Sequence, residues 1–394
     1  MGYDLTLPRT SPPVPRERAS VGGVRGPGLN FALQPRDYFE RSDRIAQWDA
    51  LAQWASEPNP FYESWYLLPS LEHLDPNRTV SLLTLTADRQ LAGLIPVQRE
   101  TRYYAHPLPH LRNWTHANCF LGAPLVARGF ERIFWREMLR WCDANAGLAL
   151  FLHLSHQPGE GELHDALRAE AADHCRPAAT VLREERAILA SDLTPADYLA
   201  RSLSTKKRKE LRRQQRRLAE EGDLRFERRS DGNDIRAWAA AFMALEQSGW
   251  KGRGGSALAC DPAMAQTFAD ALGGAARRGK LERLTLWLDG KPIAMLANFI
   301  AAPGAFSYKT AFDEAYSRFS PGVLLQQHNL DILDRGSVEW VDSCAAEDHP
   351  MIDHIWRERR SIARHSISIG GGLRRKAFGA IARRETGAPV GGIG

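Results

Sequence analysis

The sequence predicts an α/β protein of two tandem units, each a mixed central sheet flanked by helices, joined by a basic helix. Three observations carry that expectation. The order strand, hairpin turn, strand, strand, helix, strand occurs twice, within 79–154 and again within 281–343. The run 206–217 between the copies holds eight basic side chains and one acid. The stretch 308–325 reads as a strand end, a short loop and the first turn of a helix, in the second copy alone.

The 394 residues are enough for two cores, and 43% hydrophobic with 25% charged residues is a globular composition. No apolar run approaches the ~20 residues that span a bilayer, and the N-terminus lacks the apolar core of a signal peptide. The sequence therefore leads us to expect a cytoplasmic protein. Five scattered cysteines, with no Cys-x-x-Cys pair, argue against a disulfide framework or a zinc knuckle. No metal is expected. The net charge is +5, yet 206–217 and 357–394 each carry +7, so the remainder carries −9. Anionic partners are expected at those two places.

In chain order, 1–28 is rich in Pro and Gly and is expected to be a disordered leader. An N-terminal unit without a cofactor loop is expected over 29–190. Its helix 43–55 sets Ile45, Trp48, Leu51 and Trp54 on one face. Strands 79–86 and 91–99 flank a turn, 119–126 supplies the third strand, 130–144 a helix, and 148–154 a buried strand. A linking segment, 191–225, carries the basic helix, capped by Ser204 and ended by Gly222. Only Leu211 and Leu218 are its large apolar residues, so it buries a narrow stripe. The catalytic unit is placed at 226–365. There Asp289-Gly290 joins strands 281–288 and 291–301 as a hairpin, and strand 306–312, helix 321–334 and strand 337–343 follow. A basic amphipathic tail is expected at 366–394, with Leu373, Ala377 and Ile381 four apart and arginines around them.

Ser320-Pro321-Gly322 suits a helix start: Ser320 as N-cap, Pro321 at the first position, and Gly322 with no side chain. Such a start presents early amides, including those of Val323 and Leu324, to an anion, and Arg318 precedes it. The same spacing also suits an ordinary capped helix.

The run 308–325, together with Asn59-Pro60-Phe61-Tyr62, the basic run 206–217 and Trp250-Lys251-Gly252, resembles the Gcn5-related N-acyltransferase superfamily. It resembles in particular the branch with FemAB-like and cellulose-biosynthesis-type enzymes, over residues 30–365. The short run Asp348-His349-Pro350-Met351-Ile352-Asp353 is similar to bacterial ceramide synthases. The resemblance implies an acyl-CoA-dependent N-acyltransferase with no permanently bound cofactor. It implies direct attack of an amine on the thioester, and a carbonyl held by a backbone N–H near 308–312. It also implies coenzyme binding at Arg318, Ser320, Gly322, Val323 and Leu324, and an acceptor side formed by Glu246, Trp250, Lys251 and Lys309.

Such chemistry needs a base, for which an imidazole near neutrality is suited. His349 is the candidate, with Asp348 or Asp342 to orient it, and Tyr308 or Tyr316 as the acid for the thiolate. The acceptor expected is an amphiphilic amine, a sphingoid-type long-chain base being the sharpest form. An anionic membrane surface would then be reached through 206–217 and 373–384, with the protein peripheral on the inner membrane. Two alternatives stand beside this. One is a FemAB-like transferase moving an amino acid from aminoacyl-tRNA to a cell-wall precursor. The other is a non-catalytic basic adaptor. Free nucleic acid is not expected as a partner, because no aromatic residues interleave with 206–217 to stack on bases.

Overall fold

The computed structural model describes residues 28–388 and 390–394. The expected leader lies outside the described residues except for Gly28. In chain order the first elements are β1 (Leu29–Gln34), α1 (Ser42–Trp54), α2 (Ser64–Leu74), β2 (Ser81–Ala87), β3 (Gln90–Glu100), β4 (His110–Asn113) and β5 (Leu125–Val126). Next come α3 (Glu131–Ala144), β6 (Phe151–Pro158), α4 (Glu162–Asp173), β7 (Ala178–Leu189), α5 (Pro195–Ser202), α6 (Thr205–Ala219), β8 (Leu224–Arg229) and α7 (Ile235–Ser248). The rest are α8 (Trp250–Arg253), α9 (Pro262–Arg277), β9 (Leu281–Leu288), β10 (Lys291–Ala301), β11 (Gly304–Phe312), α10 (Pro321–Asn329), β12 (Trp340–Asp342), β13 (Glu358–Ser368) and α11 (Gly372–Thr386). Two compact units result. The first comprises residues up to Ser64, Thr79–Leu182 and Arg364–Gly394, and the second Trp65–Arg78 and Arg183–Ala363.

In the first unit, β1, β2, β3 and β4 form an antiparallel meander, and β4 pairs parallel with β6. The turn between β2 and β3 has Asp88 and Arg89 at φ 48° and 68°, the doubly left-handed turn whose twist matches a hairpin. α3 covers the sheet because Phe134, Trp135, Met138 and Cys142 recur at helical spacing and are fully buried. Each large side chain contributes about 1.5–3 kcal/mol by leaving water. The third strand is β4, not the apolar run 119–126 expected from the sequence, which supplies only the two residues of β5.

The second unit repeats the plan. β8, β9, β10 and β11 are antiparallel in order, β11 pairs parallel with β12, and β12 pairs with the part of β7 in this unit. Asp289 and Gly290 take the same left-handed turn, at φ 48° and 74°. The basic helix α6 is capped as its sequence predicts: the Ser204 hydroxyl accepts from the Lys207 amide at 3.2 Å. Leu211 and Leu218 are its buried residues. Most of α2 belongs to this unit although all the first unit's strands but β1 follow it. Trp65 packs edge-on against Phe299 at 4.9 Å, and Gly274 of α9 lies where a Cβ would sit 2.9 Å from Trp65.

The tail differs from the expectation. Its residues group with the first unit, and α11 buries Phe378 and Ala382 against Tyr103, Phe151 and Ala179. The Leu373, Ala377 and Ile381 stripe is not the face that packs; Leu373 is 85% exposed. The Tyr103 hydroxyl donates to Glu385 at 2.6 Å and fixes the helix further.

Candidate active site

Within the second unit, β11 and β12 run side by side for three residues, Gly304–Phe306 against Trp340–Asp342, and then part. β11 continues to Phe312, while the chain beyond Asp342 turns away through Cys344, at φ 53°. On its other edge β11 carries a bulge. Ala297 of β10 faces Lys309 and Asn298 faces Ser307, so Tyr308 has no counterpart. A bulge breaks the ladder and re-aims its side chains. Two parallel strands that separate beside a bulge open a wedge with backbone polar groups at its edge.

Four titratable groups gather near that wedge. Lys309 comes from β11, Glu246 from α7, Lys251 from α8 and His349 from the turn after Asp348. Lys309 Nζ lies 3.9 Å from Glu246 Oε1, and Lys251 Nζ lies 2.8 Å from the same oxygen. The other carboxylate oxygen accepts from the Leu258 amide at 2.8 Å. Burial pulls the Lys309 ammonium down to about 8, against the opposing attraction of Glu246. Burial raises Glu246, but Lys309 and Lys251 more than offset it and hold the carboxyl below its usual range. Burial also lowers His349, with Asp353 opposing and Lys251 reinforcing the shift. At neutral pH the site therefore offers a neutral imidazole, an anchored carboxylate and a buried ammonium poised to give up a proton.

The acceptor-side residues named from the sequence, Glu246, Trp250, Lys251 and Lys309, are largely brought together. Trp250 is 60% exposed. The stretch that carries Trp250 and Lys251 is held in place. It forms α8, and Glu314 accepts from the Trp250 amide at 2.7 Å and pairs with Arg253 at 2.6 Å.

Several other expectations are corrected. Ser320 is left-handed at φ 54° and its hydroxyl makes no cap bond. Its carbonyl instead accepts from the Val323 and Leu324 amides at 2.9 and 3.0 Å. Of the first-turn amides that the sequence offers to an anion, only that of Gly322 is outside these two bonds. Gly322 is itself buried, and a Cβ there would sit 2.7 Å from the Met351 sulfur and 3.2 Å from Phe312. Arg318 is exposed and paired with Glu221 at 2.8 Å.

Asp342 is fully buried between Arg186 and Arg360, at 3.1 and 3.2 Å, and accepts from the Cys344 amide at 2.8 Å. It shapes the parting of the strands rather than orienting His349. Asp348 is exposed and left-handed, and the carboxylate that acts on His349 is Asp353. Tyr308 is 3% exposed, shares a hydrogen bond with Tyr66 at 3.1 Å and stacks on Phe299 at 4.5 Å, as part of an aromatic core. Asp342→Asn is expected to destabilise the protein by about 3–5 kcal/mol, since two buried guanidiniums lose their counter-charge. Urea unfolding measures this.

The first unit has the corresponding wedge, where β4 and β6 pair over Leu111 and Arg112. It is stitched shut. Asn113 donates to the carbonyls of Gly122 and Ser155, both at 3.0 Å, and accepts from the Ser155 amide at 2.8 Å. Gln157 donates to Gly122 at 2.7 Å, and Asn59 to Leu121 and Ala123 at 3.2 and 2.7 Å. A Cβ on Gly122 would lie 2.2 Å from the Ser155 carbonyl, so the segment fills the space.

Residues 205–349 match the acetyltransferase (GNAT) domain family. No curated protein matches the chain. Among solved structures, the crystal structure of FemX is similar at 10% identity and TM-score 0.54, covering 86% of this chain and 98% of that one. A conserved protein of unknown function from Bacteroides thetaiotaomicron VPI-5482 is similar at 10% identity and TM-score 0.54, over 82% and 97% of the two chains. With the paired α/β units and the family match over the parting strands, residues 205–349 form an acetyltransferase (GNAT) domain, the domain of an N-acyltransferase, and the chain has a fold that FemX shares.

Proposed function

We propose that the second unit transfers an acyl group from acyl-CoA to an amine in the wedge between β11 and β12. The observation that supports it best is the buried Lys309–Glu246 pair beside the bulge where the strands part. The incoming amine attacks the thioester carbon, and neutral His349 accepts the amine proton. Lys309 faces the oxygen that gains negative charge. When the carbon–sulfur bond breaks, the thiolate takes a proton from Lys309, whose value of about 8 is matched to a thiol. Glu246, fixed by Lys251 and Leu258, keeps Lys309 in place. Asp353 steadies the imidazolium.

The anionic end of the donor would meet the α6 cations beside the loop before α10 rather than a row of helix amides. α6 adjoins that loop, with Gln214 donating to the Arg318 carbonyl at 3.2 Å. Exposed cations on α6 also suit a larger anion, which keeps aminoacyl-tRNA as a second reading of the donor. A long-chain amine is the acceptor to try first, on the motif 348–353 alone.

Purified protein supplied with acyl-CoA and amines is expected to release free thiol in step with amide formation. The rate of kcat/KM should rise below pH 6.5 as His349 loses its proton and fall near pH 8 as Lys309 loses its own. Amide formation from aminoacyl-tRNA, with no thiol release from any acyl-CoA, would move the assignment to the second reading. No transfer from either donor would sink both.

A further inference from the structure

A second charged recess lies wholly within the first unit, away from the chemistry discussed so far. It is bounded by the end of α4, the turn through Cys175 and Pro177, one face of α11, and the terminal residues Val390–Ile393. Its volume is about 1050 Å³. Five of the side chains around it are cationic, namely Arg168, Arg176, Lys376, Arg383 and Arg384, and none is acidic. The floor is small and apolar, with Ala171, Gly379 and Ala380.

We propose that this recess binds a phosphate-bearing ligand, with the headgroup of an anionic phospholipid as the source the geometry favours. The wall is rigidly built. α11 is pinned through Phe378, Ala382 and the Tyr103–Glu385 bond on its inner face. The terminal segment is held by the Gly392 amide donating to Ala178 at 3.1 Å and by the buried Ile393. Residues 376, 380, 383 and 384 lie on the opposite face of α11, at i, i+4, i+7 and i+8, and point into the recess together.

Arg176 is 7% exposed and forms a two-pronged pair with Asp143, at 2.8 and 2.7 Å, yet its Nε is buried without a partner. Arg168 pairs with Asp165 at 3.0 Å. Lys376, Arg383 and Arg384 have no acidic partner among the described residues, so three like charges crowd one helix face unrelieved. Ligand phosphate oxygens relieve that repulsion and approach closely over Gly379, where a Cβ would meet nothing within 4 Å.

The lipid source is favoured by Leu373, 85% exposed on the same face of α11 one turn before Lys376. Leu148 is 83% exposed on the loop whose Gly147 carbonyl accepts from Arg374. Apolar side chains standing out beside a cationic recess are suited to entering the interface of an anionic bilayer.

The test uses the full chain and the variant Lys376→Gln/Arg383→Gln/Arg384→Gln, checked for an unchanged melting temperature. Binding is measured by sedimentation with vesicles of phosphatidylcholine alone and of phosphatidylcholine with phosphatidylglycerol, and by calorimetry with inorganic tripolyphosphate. The wild type is expected to bind the phosphatidylglycerol vesicles and not the neutral ones, with an affinity falling as salt rises. The triple variant should bind about 100-fold more weakly, while acyl transfer to a soluble amine is unchanged. Leu373→Ser should weaken vesicle binding and leave tripolyphosphate binding alone. Tripolyphosphate bound as tightly as the vesicles, with no effect of Leu373→Ser, assigns the recess to a soluble phosphate compound. Absence of binding to every probe, or a triple variant that binds like the wild type, overturns the proposal. None of these readouts depends on the catalytic assignment.

Discussion

Lys309→Met is expected to lower kcat by about 10²–10³, the usual cost of removing one donor to a developing oxyanion, with little change in the KM for the donor. The side chain is of similar length and apolar, and the position is nearly buried at 12% exposure, so the strand should tolerate it. Its effect should be read through pH. In the wild type the alkaline limb of kcat/KM is expected to fall near pH 8, because burial pulls the Lys309 ammonium down to about that value. A group that must be protonated to act loses its contribution as pH rises through its own value, so the limb belongs to Lys309 and should vanish in the variant. Lys309→Arg should move the limb upward beyond the measurable range, since a guanidinium does not lose its proton there. An unchanged limb in both variants would show that some other group titrates. Steady-state rates across pH, with circular dichroism to confirm folding, settle the point.

His349→Gln is expected to lower kcat by about 10²–10⁴, the range for a lost general base. The wild-type acid limb should sit below the ordinary histidine value of 6.5, because burial disfavours the imidazolium. Protonation removes the base, so activity falls as pH drops through that value, and the variant should lack this limb. An acceptor amine of low basicity, already neutral at the assay pH, should recover part of the loss. Asp353→Asn should shift the limb further down by removing the opposing charge, whereas Asp348→Asn should leave it alone. The exposed carboxylate beside His349 in sequence is not the one that acts on it.

Much of the fold is legible in the chain because the local signals agree with the tertiary plan. Asp289-Gly290 demands a left-handed turn and takes one. Ser204 caps α6, and Leu211 with Leu218 is the stripe it buries. The repeated element order was readable for the same reason. The failures also have physical causes. β4 is four residues long, too short for an alternating pattern, while the more strand-like 119–126 is fastened by Asn59, Asn113 and Gln157 side chains. Such side-chain-to-backbone bonds leave no periodic trace. On α11, Phe378 and Ala382 define the packed face, but Ala carries little hydrophobic signal, so Leu373 dominated the reading.

The site was legible in part. The family resemblance pointed to Glu246, Lys251 and Lys309, and the need for an imidazole base to His349, and these lie around one wedge. It did not show that Lys309 is buried, because burial depends on the bulge at Tyr308 and on α7 packing over β11. Ser320-Pro321-Gly322 looked like an open anion cradle. The sequence could not reveal that Ser320 would go left-handed, or that Met351, far along the chain, would close over Gly322. Asp342 looked catalytic because it ends a strand at the site. Its arginine partners come from β7, 156 residues away, and from β13, 18 residues on, and neither distance is visible as a local pattern.

The central claim is that the donor carbonyl lies in the wedge of the second unit, facing Lys309. The most direct test is a crystal structure with a non-hydrolysable thioether analogue of acyl-CoA. The account predicts a carbonyl oxygen about 2.7–3.1 Å from Lys309 Nζ or from a backbone N–H of the bulge, with His349 on the side from which the amine arrives. A carbonyl placed in the first unit, or in the second but out of reach of both Lys309 and the bulge, would contradict it.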